Sequence, residues 1–452
     1  MIQEATPRYR ALGPTHLDRI PQLGVLPDEL REEMRVVASV LPFRVNEHVL
    51  DRLIDWRRAP EDPMFQLLFP QRGMLSEEHY ARVAAALERG ESKEVLASIV
   101  AEVRAELNPH PAGQMELNVP SFEGEPMQGL QHKYRETVLF FPSQGQTCHA
   151  YCSFCFRWAQ FVGDAELKMA GKDADRLHGY LAAHPDVSDL LLTGGDPMIM
   201  RTDALRPYVE PLLGPGLEHI TNLRIGTKAL TFWPQRFVSD PDADDLLRLI
   251  ERLVEGGKHV ALMAHLEHWR ELDNEVAREA VRRLRDAGAV IRSQAPLLRH
   301  VNDDPEVWAR MWREQVPLGI VPYYMFCERD TGAKRYFEVP LARCYEIYQQ
   351  AVQRCSGLAR TVRGPSMSCA PGKVEIAGRA QVGGEDVFVL RFLQGREPDW
   401  VDRPFFARFD PEATWMDHLV PAFGEKEFFF EPRYRELTRP ALERREAAVG
   451  TR

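Results

Sequence analysis

The chain has 452 residues, 44% hydrophobic and 27% charged, with 57 lysines and arginines against 67 aspartates and glutamates, a formal net charge of −10. The length supports one large core with appendages or several domains, and the acidic balance gives no reason to expect a nucleic acid or another polyanion as partner. No run approaching ~18 apolar residues occurs, so no membrane span is expected, and the first residues, "MIQEATPRYRALG", lack an apolar signal core, so a cytoplasmic protein with reduced thiols is expected.

Residues 1–120 read as a helical N-terminal segment. "PDELREEMRVVASVL" (27–41), "NEHVLDRLIDWRR" (46–58) and "SEEHYARVAAALERG" (76–90) carry apolar residues at helical spacing, with Asn46 and Ser76 as N-caps. "NPHPAGQ" (108–114) is a Pro-rich break. From 121 to 365 short apolar runs alternate with amphipathic stretches. The predicted strands are "TVLFF" (137–141), "VSDLLLT" (187–193), "NLRIGTK" (222–228), "HVALMA" (259–264), "AVIRSQ" (289–294) and "GIVPYYM" (319–325). Helical patterns such as "DADDLLRLIERLVEGG" and "NEVAREAVRRLRDAG" lie between them, the latter with a basic "RRLR" (282–285) read as a solvated face. Six such units predict parallel strands in a partial (βα)6 barrel, with the chemistry at the C-terminal ends of the strands. Residues 366–452 are aromatic-rich and broken by Pro and Gly, and read as an irregular C-terminal extension covering the core.

Of the seven cysteines, Cys148, Cys152 and Cys155 crowd into "QTCHAYCSFCFRW" (146–158), spaced C-x3-C-x2-C, directly after the first barrel strand. Clustered thiols in a reducing compartment point to a metal or to catalysis, and thiolates suit soft metals and iron–sulfur clusters. Three ligands on a four-iron cubane leave one iron open for an exchangeable ligand. The alternatives are a closed four-cysteine site, completed by Cys327, Cys344, Cys355 or Cys369, and three unligated thiols. "TGGDP" (193–197) follows the second strand and so points to the same face; alone it reads as an ordinary turn.

The cysteine spacing, with Phe154 before the last cysteine, resembles the signature of radical S-adenosylmethionine (SAM) enzymes. The resemblance implies a [4Fe–4S] cluster on Cys148, Cys152 and Cys155 whose open iron chelates SAM. Gly194, Gly195 and Asp196 then resemble the Gly-Gly-Glu element that holds the SAM amino group, with Phe154 in the same cofactor site. Cleavage of SAM gives a 5′-deoxyadenosyl radical that abstracts a substrate hydrogen.

A wider stretch, about residues 40–380, resembles the lysine 2,3-aminomutase family. "LPFRVNEHVLDRLID" (41–55), "GLQHKYRETVLFF" (129–141), "VSDLLLTGGDPMIM" (187–200), "LRIGTKALTFWPQRF" (223–237), "LRDAGAVIRSQAPLLRHVND" (284–303), "VPYYMF" (321–326) and "APGK" (370–373) follow in the family's order. The resemblance implies an isomerase that joins the radical to pyridoxal phosphate (PLP), bound as an imine on Lys373, and moves an amino group between adjacent carbons. Arg157 stands where the family holds the substrate carboxylate. The implied partners are a small amino-acid-like substrate, an electron donor such as flavodoxin or ferredoxin, and a second copy of the chain.

Departures from the family fall on the substrate. The loop before Lys373 is three residues shorter, and Cys369 replaces one of two aspartates that meet a distal ammonium; Glu328 or Asp330 lies near the other. Thr137 stands where the PLP-phosphate arginine is expected, with Arg135 two residues away. "AHLEHW" (264–269) resembles a His-x-x-His stretch of the family and places His265 and His268, with His149, near the site. The expectation is therefore a 1,2-amino shift on an amino acid other than free lysine. A PLP-free radical SAM enzyme acting on another carboxylate-bearing substrate is the alternative, and an electron-transfer iron–sulfur protein is the alternative of another class.

Overall fold

The structure, a computed structural model, describes residues 8–108, 117–162 and 169–439. The three expected N-terminal helices form as Asp28–Val40, Glu47–Arg52 and Glu77–Glu88. Asn46 and Ser76 cap the second and third, accepting from the amides of Val49 and His79 at 3.1 Å each. Such caps contribute about 1 kcal/mol. The second helix stops earlier than its pattern because Asp55 accepts from the Arg57 amide at 3.2 Å and starts a separate turn, Trp56–Arg58; this local side-chain bond competes with helix continuation. A further helix, Lys93–Leu107, completes the segment. The Pro-rich break falls largely outside the described residues.

A short hairpin, β1 (Ser121–Phe122) and β2 (Glu125–Pro126), leads into the main sheet. The sheet opens with β3 (Leu130–Tyr134), antiparallel to β4 (Thr137–Phe140). Then come β5 (Asp189–Leu192), β6 (Asn222–Thr227), β7 (His259–His265), β8 (Val290–Leu297) and β9 (Ile320–Cys327), each parallel to its predecessor. All six expected strands are present, and helices including Ala174–Ala182, Ala243–Glu255, Glu275–Asp286 and Pro305–Gln315 connect them. Along β6, Leu223 and Ile225 join the hydrophobic core, whereas Arg224 and Gly226 line an interior cavity, the two-residue alternation of a strand.

The part after residue 365 departs from its reading as an irregular cover. It supplies β10 (Arg363–Ser368), parallel to β9, and then an antiparallel meander of β11 (Gly372–Val382), β12 (Glu385–Gly395) and β13 (Pro404–Arg408). The pattern was present in "VEIAGRAQVGGEDVFVLRFL" (374–393). Gly383 and Gly384 both take positive φ, 60° and 88°, as a two-residue hairpin turn requires. One 11-stranded sheet thus runs in order from β3 to β13.

The sheet curls without closing. No ladder joins its ends among the described residues, yet the Lys133 ammonium on β3 donates to the carbonyl of Cys369, just past β10, at 2.5 Å. Arg396 after β12 donates to Asn118 Oδ1, also at 2.5 Å. The fold is therefore a partial barrel bridged by side chains across its gap. A second hydrophobic cluster, built mainly from the N-terminal helices, reaches Ala150 and Trp158 in the cysteine stretch and Phe232 and Leu298 at the barrel rim.

Candidate active site

The cysteine loop leaves the end of β4 and is held from two sides. The N-terminal segment supplies one set of bonds. Arg44 donates to Thr147 Oγ1 at 2.6 Å and to the Cys148 carbonyl at 3.2 Å. Asn46 Nδ2 bridges the carbonyls of His149 and Phe232 at 3.1 and 3.0 Å. The amides of Tyr151 and Ser153 donate to the carbonyls of Arg44 and Leu67 at 2.9 and 2.8 Å. The loop after β5 supplies the other set, where the Asp196 amide donates to the carbonyls of Gly145 and Thr147 at 3.0 and 2.8 Å. The approach explains both glycines. A Cβ on Gly195 would lie 2.5 Å from the Thr147 backbone, and Gly194 holds φ +147° with its Cβ position 2.4 Å from Gln146 Nε2.

The Asp196 carboxylate is spent on the fold. It is 2% exposed and accepts from the amides of Met198, Lys228 and Ala229 at 2.9, 2.8 and 3.0 Å and from the Thr227 hydroxyl at 2.8 Å. Four donors fill the roughly four lone-pair sites of a carboxylate. Burial raises its carboxyl above the usual range, against the pull of these donors. Asp196 thereby ties the loop after β5 to the end of β6.

Beyond these loops lies a cavity of about 320 Å³ whose wall includes Cys148, Cys152, Phe154, Cys155, Arg157, Gly194, Gly195, Asp196 and Lys373. Every residue singled out for the cluster, SAM, PLP and the substrate carboxylate thus comes to one space. Phe154 sits edge-on to Phe337 with ring centres 6.3 Å apart. All seven cysteines are free. Burial pushes the thiols of Cys148 and Cys152 well up and that of Cys155 to about 11, so these thiols are neutral until a metal displaces their protons. Among the described residues no three His, Cys, Asp or Glu side chains converge on a single-ion site. A single zinc would need its sulfurs at about 2.3 Å from one point, whereas a cubane takes one thiolate per iron, so the donor set fits a cluster. Cys344, Cys355 and Cys369 direct their thiols at the carbonyls of Val339, Ala309 and Gly372, and Cys327 interacts with Cys344.

Arg157 lies over the Phe141 ring at 4.4 Å and the Phe156 ring at 5.0 Å. Burial lowers it to about 10, and among the described residues it carries no ion pair. Lys373, on β11, faces the cavity with its ammonium nitrogen 3.9 Å from the centre of the Tyr324 ring. Burial first, then the charges of Arg224, Lys133 and Arg363, lower it to about 7. An amine that is half neutral near pH 7 fits imine chemistry. Arg135 points outward and pairs with Asp186 at 3.0 Å, the two side chains 59% and 65% exposed. Arg224 instead lines the cavity, held by Asp189 at 2.7 Å. Of the histidines, His265 lines the cavity and bonds Gln294 at 2.9 Å. His149 also borders it, but burial lowers it to about 3 and it stacks near Trp233. His268 caps the turn Trp269–Leu272.

Sequence reasoning passed over a buried charge group at the ends of β6 and β7. Lys228 pairs with Glu267 and with Glu271, the latter at 2.5 Å. Glu271 also accepts from Thr231 Oγ1 and from the amides of Glu267 and His268 at 2.8, 2.7 and 3.0 Å. The signal available was Lys228 ending an apolar strand, followed by acidic residues inside "HLEHWRE" (265–271). Arg329, also on the cavity wall, was passed over too.

A parallel partial barrel carrying a three-cysteine loop at the C-terminal end of its first parallel strand defines a radical SAM enzyme. No family model matches the chain. A protein of Aquifex aeolicus named "Putative L-lysine 2,3-aminomutase" is 30% identical over 401 residues, 88% of this chain and 93% of that one. The L-lysine 2,3-aminomutase of Bacillus subtilis is 28% identical over 342 residues, 73% of this chain and 68% of that one. Among solved structures, the chain is similar to a radical SAM methyltransferase from Sphaerobacter thermophilus over 53% of this chain and 68% of that one, at 16% identity and a TM-score of 0.36. The chain belongs to the lysine 2,3-aminomutase family. Among the described residues no helix is long and apolar enough to cross a membrane.

Proposed function

We propose that the chain binds a [4Fe–4S] cluster on Cys148, Cys152 and Cys155, cleaves SAM, and catalyses a 1,2-amino shift on an amino acid held by Lys373 and Arg157. When bound, the cluster supplies one electron to SAM and PLP supplies a conjugated ring through which an amine can change carbons. Everything else falls to the chain. The three thiols, brought together by the contacts of Arg44, Asn46 and Leu67, hold iron and leave one coordination position free. Gly194 and Gly195 bring the backbone of their loop against the cysteine loop, so that its carbonyls, not the filled carboxylate of Asp196, would meet the SAM ammonium. Lys373 offers a nucleophilic amine, and Arg224 is the cavity cation placed to take a phosphate. Arg157 offers a planar pair of donors to a substrate carboxylate. The curled sheet keeps water away from a reactive radical. An electron donor such as flavodoxin or ferredoxin would reduce the cluster.

The observation that carries this reading is the single cavity shared by the cysteines, the glycine loop, Arg157 and an amine lowered to about 7 by burial. The test is borohydride reduction of PLP-saturated anaerobic protein followed by peptide mapping, together with 5′-deoxyadenosine release from SAM under dithionite. Covalent label on the Lys373 peptide and SAM cleavage support the aminomutase. Unmodified Lys373 with SAM cleavage intact overturns it in favour of the PLP-free enzyme, which the outward-facing Arg135 favours. A reduced cluster that never cleaves SAM leaves an electron-transfer protein.

A further inference from the structure

The end of the cavity beyond Arg157 is cationic. Arg329 lines the same wall, its guanidinium 5.0 Å from the centre of the Phe156 ring. The guanidinium of Arg157 stands at the same 5.0 Å from that ring. Two cations that share one ring lie at most about 10 Å apart, within reach of the two ends of a small amino acid. Lys133, bonded to the Cys369 carbonyl behind the wall, is lowered to about 7 by burial and adds only part of a further positive charge near neutral pH.

Among the described residues the opposing acids are few. Glu328 borders the cavity but is 6% exposed, and burial pushes its carboxyl well above the ordinary range against the pull of the neighbouring Arg329. Asp196 is held by its four donors. Glu267 and Glu271 share the one ammonium of Lys228 and are not part of the cavity wall. Asp330 acts on Arg329 but is not part of the cavity wall. Cys369 is a buried thiol whose proton faces the Gly372 carbonyl at 3.2 Å. A ligand with an ammonium at its far end would meet like charge in a desolvated space, whereas a second carboxylate would meet a planar donor fork.

We infer that this cavity takes an α-amino acid whose far end is anionic, a dicarboxylic amino acid, and that Arg329 selects that end. The inference rests on the reading of Lys373 and Arg157 as the anchors of an amino acid. Like charge raises the cost of the wrong ligand while the guanidinium adds contacts to the right one, the two halves of specificity.

The test is equilibrium dialysis of radiolabelled L-glutamate, L-aspartate, L-lysine and L-norleucine against the anaerobic holoenzyme with SAM, with no turnover required. One of the two acidic amino acids is expected to bind at least tenfold more tightly than lysine or norleucine. Arg329→Gln is expected to weaken that binding by about 10- to 100-fold, the loss of a charge-assisted contact. It should leave norleucine within about threefold, and Arg329→Lys should recover part of the loss. Iron content and SAM affinity measured on the same samples report whether the variants are folded. Lysine binding more tightly than both acids to the wild-type enzyme overturns the inference, as does an equal weakening of norleucine and the acids by Arg329→Gln. Acid preference with Lys373 unlabelled by borohydride removes the aminomutase reading alone; label on Lys373 with lysine preferred removes this inference alone.

Discussion

Replacing Asp196 by Ala separates two roles for the acidic residue of the glycine loop. If its carboxylate received the SAM ammonium, the loss would fall on SAM affinity. The geometry assigns it to the fold: the variant leaves the amides of Met198, Lys228 and Ala229 and the Thr227 hydroxyl without their acceptor. Each orphaned buried donor costs about 1–3 kcal/mol, so the three amides alone give about 3–9 kcal/mol. Water entering the vacated space would satisfy some of them, which places the expected loss at about 3–4 kcal/mol. Asp196→Asn keeps one acceptor oxygen and should lose less. The assay is anaerobic urea denaturation of wild type and both variants, with iron content and SAM affinity on the same preparations. A destabilised Asp196→Ala that also loses iron is expected, because the same loop braces Thr147 beside Cys148. An unchanged unfolding midpoint with SAM affinity alone reduced would refute the reasoning and return the carboxylate to the role of ligand.

Ala at any of Cys148, Cys152 or Cys155 should abolish the binding of about four irons per chain, the content of one cubane, whereas Cys327→Ala and Cys369→Ala should keep it; iron and sulfide assays decide. Lys373, lowered to about 7 in the folded protein from an ordinary value of 10.5, is neutral when folded and charged when unfolded between those values. Stability should therefore rise with pH across about 7 to 10.5, and Lys373→Met should reduce that rise in denaturation series, the remainder coming from Lys133, which burial also lowers to about 7. Borohydride-fixed PLP on Lys373 should likewise grow through about pH 7, with no further step near 10. Asn46→Ala removes the cap on Val49 and the bridge between the carbonyls of His149 and Phe232. A loss of about 1–3 kcal/mol and faster iron release under a chelator are expected.

The parallel strands were legible because a buried parallel strand is a short apolar run between amphipathic helices, and nothing competes with that pattern. "VSDLLLT" and "HVALMA" became β5 and β7 with little change of boundary. Spacing and resemblance singled out the cysteines and Lys373, which carry chemistry without geometry; the structure places all four on one cavity wall. The C-terminal strands were hidden by the aromatic and Pro-rich text around them, although Gly383–Gly384 announced the hairpin. What sequence cannot display is how a polar side chain spends its bonds. The sequence presents Asp196 as a ligand candidate, and its four donors appear only in the fold; Arg135 stands two residues from Thr137 in the text, yet in the fold it faces Asp186 at the surface. Arg329 was invisible for the same reason: its neighbours Arg157 and Phe156 come from a different part of the chain.

The cysteine loop has almost no ladder of its own, so its shape is dictated by segments that meet only in the folded chain. Asn46 joins the carbonyl of His149 to that of Phe232, at the end of the short helix Ala229–Phe232. Asp196 accepts from the first amide of that helix and, through its own amide, grips the residues just before Cys148. The N-terminal segment, the glycine loop and the end of β6 therefore close a ring of bonds around the cysteines. Within that ring burial raises all three thiols, so the metal-free site is held in the right place but in the wrong protonation state. In the proposed cluster, iron would supply the charge that stabilises the thiolates. Folding the ring first would lower the entropic cost of gathering three ligands, and the proposed metal would then add the electrostatic contribution that neutral thiols lack. The two contributions act on the same backbone contacts, which is why damage to Asn46 or Asp196, neither of them a metal ligand, is expected to appear as lost iron.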